Sequence, residues 1–168
     1  MPSIPVLKVV VAGDGNVGKT SLIRRYCEGK FEASRVATIG VDFQTQTVDL
    51  PAGKVKLSIW DMAGQDRFQV VRAGFYRGSR ASALVYDVTS VESLEHLKRW
   101  REEILQAVAS QPLIVVGNKT DLRRAVPREE AERLAAEMDA LYVETSALNG
   151  EGVPAIFEGL ARLATAKA

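Results

Sequence analysis

The stretch GDGNVGKT at positions 13 to 20 restricts the possible folds of this chain more than any other feature. It follows the apolar run VLKVVVAG and opens a helical segment, the strand–loop–helix setting that the pattern G-x-x-x-x-G-K-[ST] requires. Glycines let backbone N–H groups curl around an anion, and a helix N-terminus adds a favourable dipole. Gly13, Asp14, Gly15, Asn16, Val17, Gly18, Lys19, Thr20 and Ser21 are therefore the candidate phosphate-binding residues. Within them, Lys19 is placed to reach the outer phosphates and Thr20 to offer its hydroxyl to Mg2+.

The remaining pattern supplies what such a loop needs around it. PLIVVGN and ASALVYDV are further short apolar runs, suited to strands buried on both faces of a largely parallel sheet. VDFQTQTVDL and VKLSIWD alternate instead: Val41, Phe43, Thr45 and Thr47, then Val55, Leu57 and Ile59, joined by PAGK as an antiparallel edge hairpin. Helical spacing predicts one amphipathic helix over residues 91–108, through Leu94, Leu97, Arg101, Ile104 and Val108. A second helix starts near Pro127, and a third carries the stripe Val153, Ile156, Phe157, Leu160 and Leu163. The expected fold is α/β: one domain over residues 1–168, a six-stranded, mostly parallel sheet with one antiparallel edge strand and about five flanking helices.

Charge narrows the function classes. A net charge of +1 with scattered basic residues gives no field to recruit nucleic acid or an acidic membrane. Cys27 is the single cysteine, which excludes an internal disulfide and points to a reducing, cytoplasmic compartment. No apolar run approaches the roughly 20 residues of a membrane helix. His96, between Glu95 and Leu97 on the polar side of a helix, reads as a surface residue.

Two further stretches carry chemistry. In WDMAGQD, Asp61 ends a strand and can face a metal beside Thr20, directly or through water. Gly64 can bring a bare N–H to a terminal phosphate, and Gln65 can orient an attacking water without carrying charge. GNKTDL follows a later strand, at the sheet end where ligands of open α/β folds lie. Asp121 can accept two adjacent N–H donors on one edge of guanine, a pair that adenine lacks. Asn118 holds the loop, and the Lys119 stem covers the base. TSAL adds Ser146, Ala147 and Leu148, with a backbone donor at Ala147, and Phe31 is a candidate aromatic wall. These residues favour GTP over ATP, against the competing class of ATP-dependent P-loop enzymes.

With these motifs in this order, the chain resembles the Ras superfamily of small GTPases, and TIGVDF, WDMAGQDRF, FYRG and YDVTS are most similar to its Rab branch. The resemblance implies a Mg2+-dependent GTP/GDP switch with nucleotide-sensing loops near residues 32–42 and 62–77. It implies that Thr38 binds Mg2+ and the terminal phosphate in the GTP state and releases them afterwards. It also implies exchange-factor, activator and effector partners, the last meeting Phe43, Trp60 and Phe75. Those aromatics otherwise serve as core filling. A nucleotide-bound interaction module with negligible hydrolysis is the alternative within the same fold.

Several positions depart from the family pattern. Met62 replaces a usual threonine and Asp66 a usual glutamate, which bears on exchange-factor recognition. Leu148 replaces a common lysine, and the end ARLATAKA offers no cysteine for prenylation, so no direct membrane anchor is expected from it. Arg35 stands three positions before Thr38, the spacing at which heterotrimeric G-protein α subunits carry a catalytic arginine in cis. Arg35 is thus a candidate built-in arginine finger beside Gln65 and Lys19, the alternative being a solvated loop arginine.

Overall fold

The computed structural model describes residues 3–29, 41–62, 64 and 69–167. Its centre is β1 (Val6–Ala12), paired in parallel with β3 (Gly53–Met62) on one side and β4 (Ala81–Asp87) on the other. Outward from β4 lie β5 (Leu113–Asn118) and β6 (Leu141–Glu144), both parallel. Among the described strands only β2 (Val41–Leu50) runs antiparallel, at the edge beside β3, in the order β2-β3-β1-β4-β5-β6. This is the expected α/β sheet.

The continuous apolar runs are explained by cover on both faces. Every residue of β4 and β5 is buried. In β1, Val9 and Val11 point to one core, where α1 (Lys19–Glu28) and α6 (Val153–Lys167) contribute Leu22, Ile23, Ile156 and Phe157. Val10 and Ala12 point to the other, with residues of α2 (Gln69–Tyr76), α4 (Leu97–Ala107) and α5 (Arg128–Glu137). The α6 stripe lies as its spacing requires: Val153, Ile156, Phe157 and Leu160 are buried and Leu163 is packed against them.

Two local expectations are corrected. The helix expected over 91–108 is two helices: α3 (Val91–Glu95) and α4 meet at His96, and Val108 has already turned extended. Ser90 caps the first, its hydroxyl accepting from the Ser93 N–H, while Glu92 and His96 carbonyls keep hydrogen bonding through the junction. The hairpin loop is Pro51-Ala52 rather than PAGK, since Leu50 pairs with Gly53, whose φ of 136° suits glycine. On β2 the alternation picks out the outward face. Register places Val48 opposite Val55 over the core, and leaves Phe43, Thr45 and Thr47 exposed. Among the described residues, no helix is long and apolar enough to cross a membrane.

Candidate functional site

The ends of β1, β3, β4 and β5 converge at one edge of the sheet, and most of the described motif residues gather there. The loop after β1 bends through left-handed backbone at Asn16 (φ 68°) and Gly18 (φ 100°) before α1 begins at Lys19. A Cβ on Gly18 would sit 2.3 Å from Asn118 Nδ2, so only glycine lets the loop and the β5 end approach this closely.

Lys19 is nearly buried, 6% exposed, and its ammonium donates to the carbonyls of Gly13 and Asp14, each at 2.8 Å. Burial pushes its pKa down to about 8, against the opposing pull of Asp61 and Asp14. A polyanion arriving at the loop favours the charged form. Next to it, the Thr20 hydroxyl donates to Asp61 Oδ2 at 2.5 Å, joining the first turn of α1 to the end of β3. Gly64 lies directly over the loop: a Cβ there would meet Gly15 N at 2.3 Å and Asp14 C at 2.5 Å.

This donor set fits Mg2+. A hydroxyl and a carboxylate, both hard oxygen donors, meet beside a glycine-lined cradle, and Mg2+ characteristically takes one or two protein oxygens plus phosphate and water.

Asn118 joins the two ends of the site. Its Nδ2 donates to the Val17 carbonyl at 2.9 Å, and its Oδ1 accepts from the Thr145 hydroxyl at 3.0 Å. Lys119, with φ 71°, donates to the Asn16 carbonyl at 2.6 Å and pairs with Asp87 Oδ2 at 2.9 Å. Burial disfavours the Asp87 carboxylate, yet hydrogen bonds from Thr89 and Lys119 hold it below the ordinary carboxylate range. Asp121 accepts from the Ser146 hydroxyl at 2.8 Å, which orients the carboxylate while leaving it exposed. Ala147 is buried and Leu148 half exposed. Ser21 follows Thr20 within α1.

The aromatic trio also comes together. Phe43 pairs across strands with Trp60, their rings stacked at 4.9 Å, and Trp60 lies 5.4 Å from Phe75 of α2. Phe43 is 54% exposed, and the Lys8 ammonium sits 4.6 Å over the Trp60 ring. Trp60 and Phe75 also pack on the core, so filling and exposure are combined. Phe31, Arg35, Thr38, Gln65 and Asp66 lie outside the described residues.

Sequence reasoning missed three participants. Asp87 closes β4 and steadies Lys119; its place at a strand end two residues before Thr89 was the available signal. His96, read as a surface residue, reaches Asp14 with Nδ1 at 2.6 Å from Oδ2 and is only partly exposed. Buried Trp100 donates to Asp14 Oδ1 at 2.8 Å. Neither contact has a local sequence signature.

Comparison with known proteins agrees with this geometry. A family model described as Ras family matches residues 8–166. The chain is 46% identical over 156 residues to Ras-related protein Rab-4 of Dictyostelium discoideum, covering 90% of this chain and 76% of that protein. It is 43% identical to Ras-related protein RABA4b of Arabidopsis thaliana, covering 92% and 70%. It is 40% identical to Ras-related protein SEC4 of Saccharomyces cerevisiae, covering 94% and 74%.

Proposed function

This chain belongs to the Ras family, a Rab-like GTPase, and on that premise we propose that it alternates between GTP- and GDP-bound states with Mg2+ and hydrolyses GTP to GDP and phosphate. The observation that carries the reading is the set of hydrogen bonds that ties Lys19 to the loop, Thr20 to Asp61, the loop to Asn118, and the adjacent Thr145 and Ser146 to Asn118 and Asp121. It joins the glycine-rich loop and the Asp121 turn at one end of the sheet, which supports a phosphate cradle beside a base-edge acceptor.

In this reading the loop N–H groups and Lys19 bind the phosphates, and Thr20 and Asp61 would hold Mg2+. Bound there, Mg2+ neutralises charge on the outer phosphates. Asp121 selects guanine through two hydrogen bonds, helped by the Ala147 backbone, and Lys119 covers the base. Gln65 orients water in line with the terminal phosphate, and the Gly64 N–H and Thr38 report whether that phosphate is present. Arg35 adds positive charge to the transferring phosphoryl group. Phe43, Trp60 and Phe75 form the face offered to effectors, beside loops that exchange factors and activators also engage.

Single-turnover hydrolysis of GTP with Mg2+ tests this, run on wild type and Arg35→Ala side by side with ATP as competitor. An arginine in cis gives turnover on the order of 10⁻² s⁻¹, and partner-dependent hydrolysis about 10⁻⁴ to 10⁻³ s⁻¹. Equal, slow rates in both proteins remove Arg35 from the mechanism. Bound nucleotide without turnover, even with an activator, leaves the interaction module, and preference for ATP overturns the guanine assignment.

A further inference from the structure

The phosphate loop is bolted to a helix that the nucleotide-binding motifs do not include. Asp14 is the second residue of the loop: its carbonyl accepts from Lys19, and its backbone lies under Gly64. Its carboxylate turns to the junction of α3 and α4, where Trp100 Nε1 donates to Oδ1 and His96 Nδ1 meets Oδ2. One residue's main chain therefore touches the phosphate-binding lysine while its side chain is held by two side chains of α4 and its cap.

The anchor is itself fixed. Trp100 is 2% exposed, and the Arg72 guanidinium of α2 lies 4.4 Å over its ring. Arg72 forms a bidentate pair with Glu103 one turn along α4, at 2.7 and 2.9 Å, and Tyr76 donates to the same carboxylate. His96 Nε2 faces Glu92 at 3.7 Å, which steadies the ring from its other side. Released from this clamp, the Asp14 carboxylate would be a mobile negative charge beside a loop built to hold an anion.

We propose that His96 and Trp100 are positioning residues for nucleotide retention: by holding the Asp14 carboxylate against α4, they fix the backbone of the phosphate loop and keep that charge away from the phosphates. The inference rests on the guanine-nucleotide reading above. The Arg72 stack ties α2 to the same anchor, so α2 and the phosphate loop share one support.

The test is the release rate of a fluorescent N-methylanthraniloyl GDP, chased with excess GDP in Mg2+ from purified protein. Trp100→Phe keeps the ring packing and removes the N–H; His96→Ala removes the second contact. Each is expected to speed release about tenfold, the lower end of what a hydrogen bond to a charged group is worth. His96→Asn, whose amide nitrogen can replace Nδ1 as donor, is expected to recover release to within about threefold of wild type. In an Asp14→Ala background, Trp100→Phe and His96→Ala should each change release by less than about twofold, because their shared partner is gone. Release equal to wild type in both single variants overturns the inference. So does acceleration that persists without Asp14, or His96→Asn releasing as fast as His96→Ala. Failure of the wild type to take up the GDP analogue overturns the guanine-nucleotide reading and this inference with it, whereas normal loading with unchanged release overturns this inference alone.

Discussion

Replacing Asn118 by alanine removes the joint between the loop before α1 and the loops after β5 and β6. Asn118 is 1% exposed, and its two partners are the carbonyl of Val17, a residue 2% exposed, and the hydroxyl of Thr145, at 0%. Truncation leaves both polar groups in a region closed to water. An orphaned buried group costs about 1–3 kcal/mol, so the pair costs about 2–6 kcal/mol. For a chain of this size each kcal/mol lowers Tm by about 2–4 °C, giving an expected fall of roughly 4–24 °C. The assay is thermal unfolding followed by circular dichroism, with and without a fixed excess of GDP and Mg2+. Because ligand binding to the native state adds stability by mass action, a variant that also binds nucleotide poorly should lose more in the presence of GDP than without it. A Tm within about 1 °C of wild type in both conditions would refute the reasoning, since it lies below the smallest cost that two orphaned groups carry.

Three other perturbations follow from the same structure. Gly64→Ala places a methyl group 2.3 Å from Gly15 N and 2.5 Å from Asp14 C, both main-chain atoms that cannot swing aside. Overpacking of this kind costs about 1–3 kcal/mol, read as a lowered urea midpoint at unchanged m; a midpoint equal to wild type would show that the two segments are not held in contact. The Asp87 pKa is depressed below its ordinary 3.8, so the folded state binds the proton less readily than the unfolded state. Its stabilising contribution is present above about pH 4 and is lost as pH falls below that value. Asp87→Asn should therefore flatten the acid limb of a stability-versus-pH curve, and an acid limb identical to wild type counts against the Lys119–Asp87 contact. Burial pushes the Cys27 thiol up to about 11, so alkylation by iodoacetamide at pH 7 should be far slower than for free cysteine and should accelerate towards pH 11. Rapid labelling at neutral pH would contradict the half-buried placement.

Much of the architecture was legible because it is written in local period. Mainly apolar runs without a polar alternation marked β1, β4 and β5, since strands covered on both faces have no polar side to show. The α6 stripe at spacings of three and four located its buried face. Periodicity could not show that the 91–108 helix breaks at His96, because hydrogen bonds and apolar spacing both run through the junction. It also gave no inside or outside to β2, whose buried side depends on pairing with Val55, Leu57 and Ile59.

The sequence by itself determined the glycine-rich loop before α1, the turn after β5 that carries Asp121 and the parallel sheet that brings them to one end. Each of these rests on contiguous residues whose backbone chemistry is local: glycines that permit left-handed turns, a lysine at a helix start, an acid at a strand end. Only the tertiary structure decided how that site is held. Asp14 meets residues 82 and 86 positions away, Asn118 reaches Val17 across 101, and Arg72 finds Glu103 across 31. A side-chain hydrogen bond needs its two groups within about 3 Å, and no spacing along the chain specifies that distance until the strands have paired and the helices have packed.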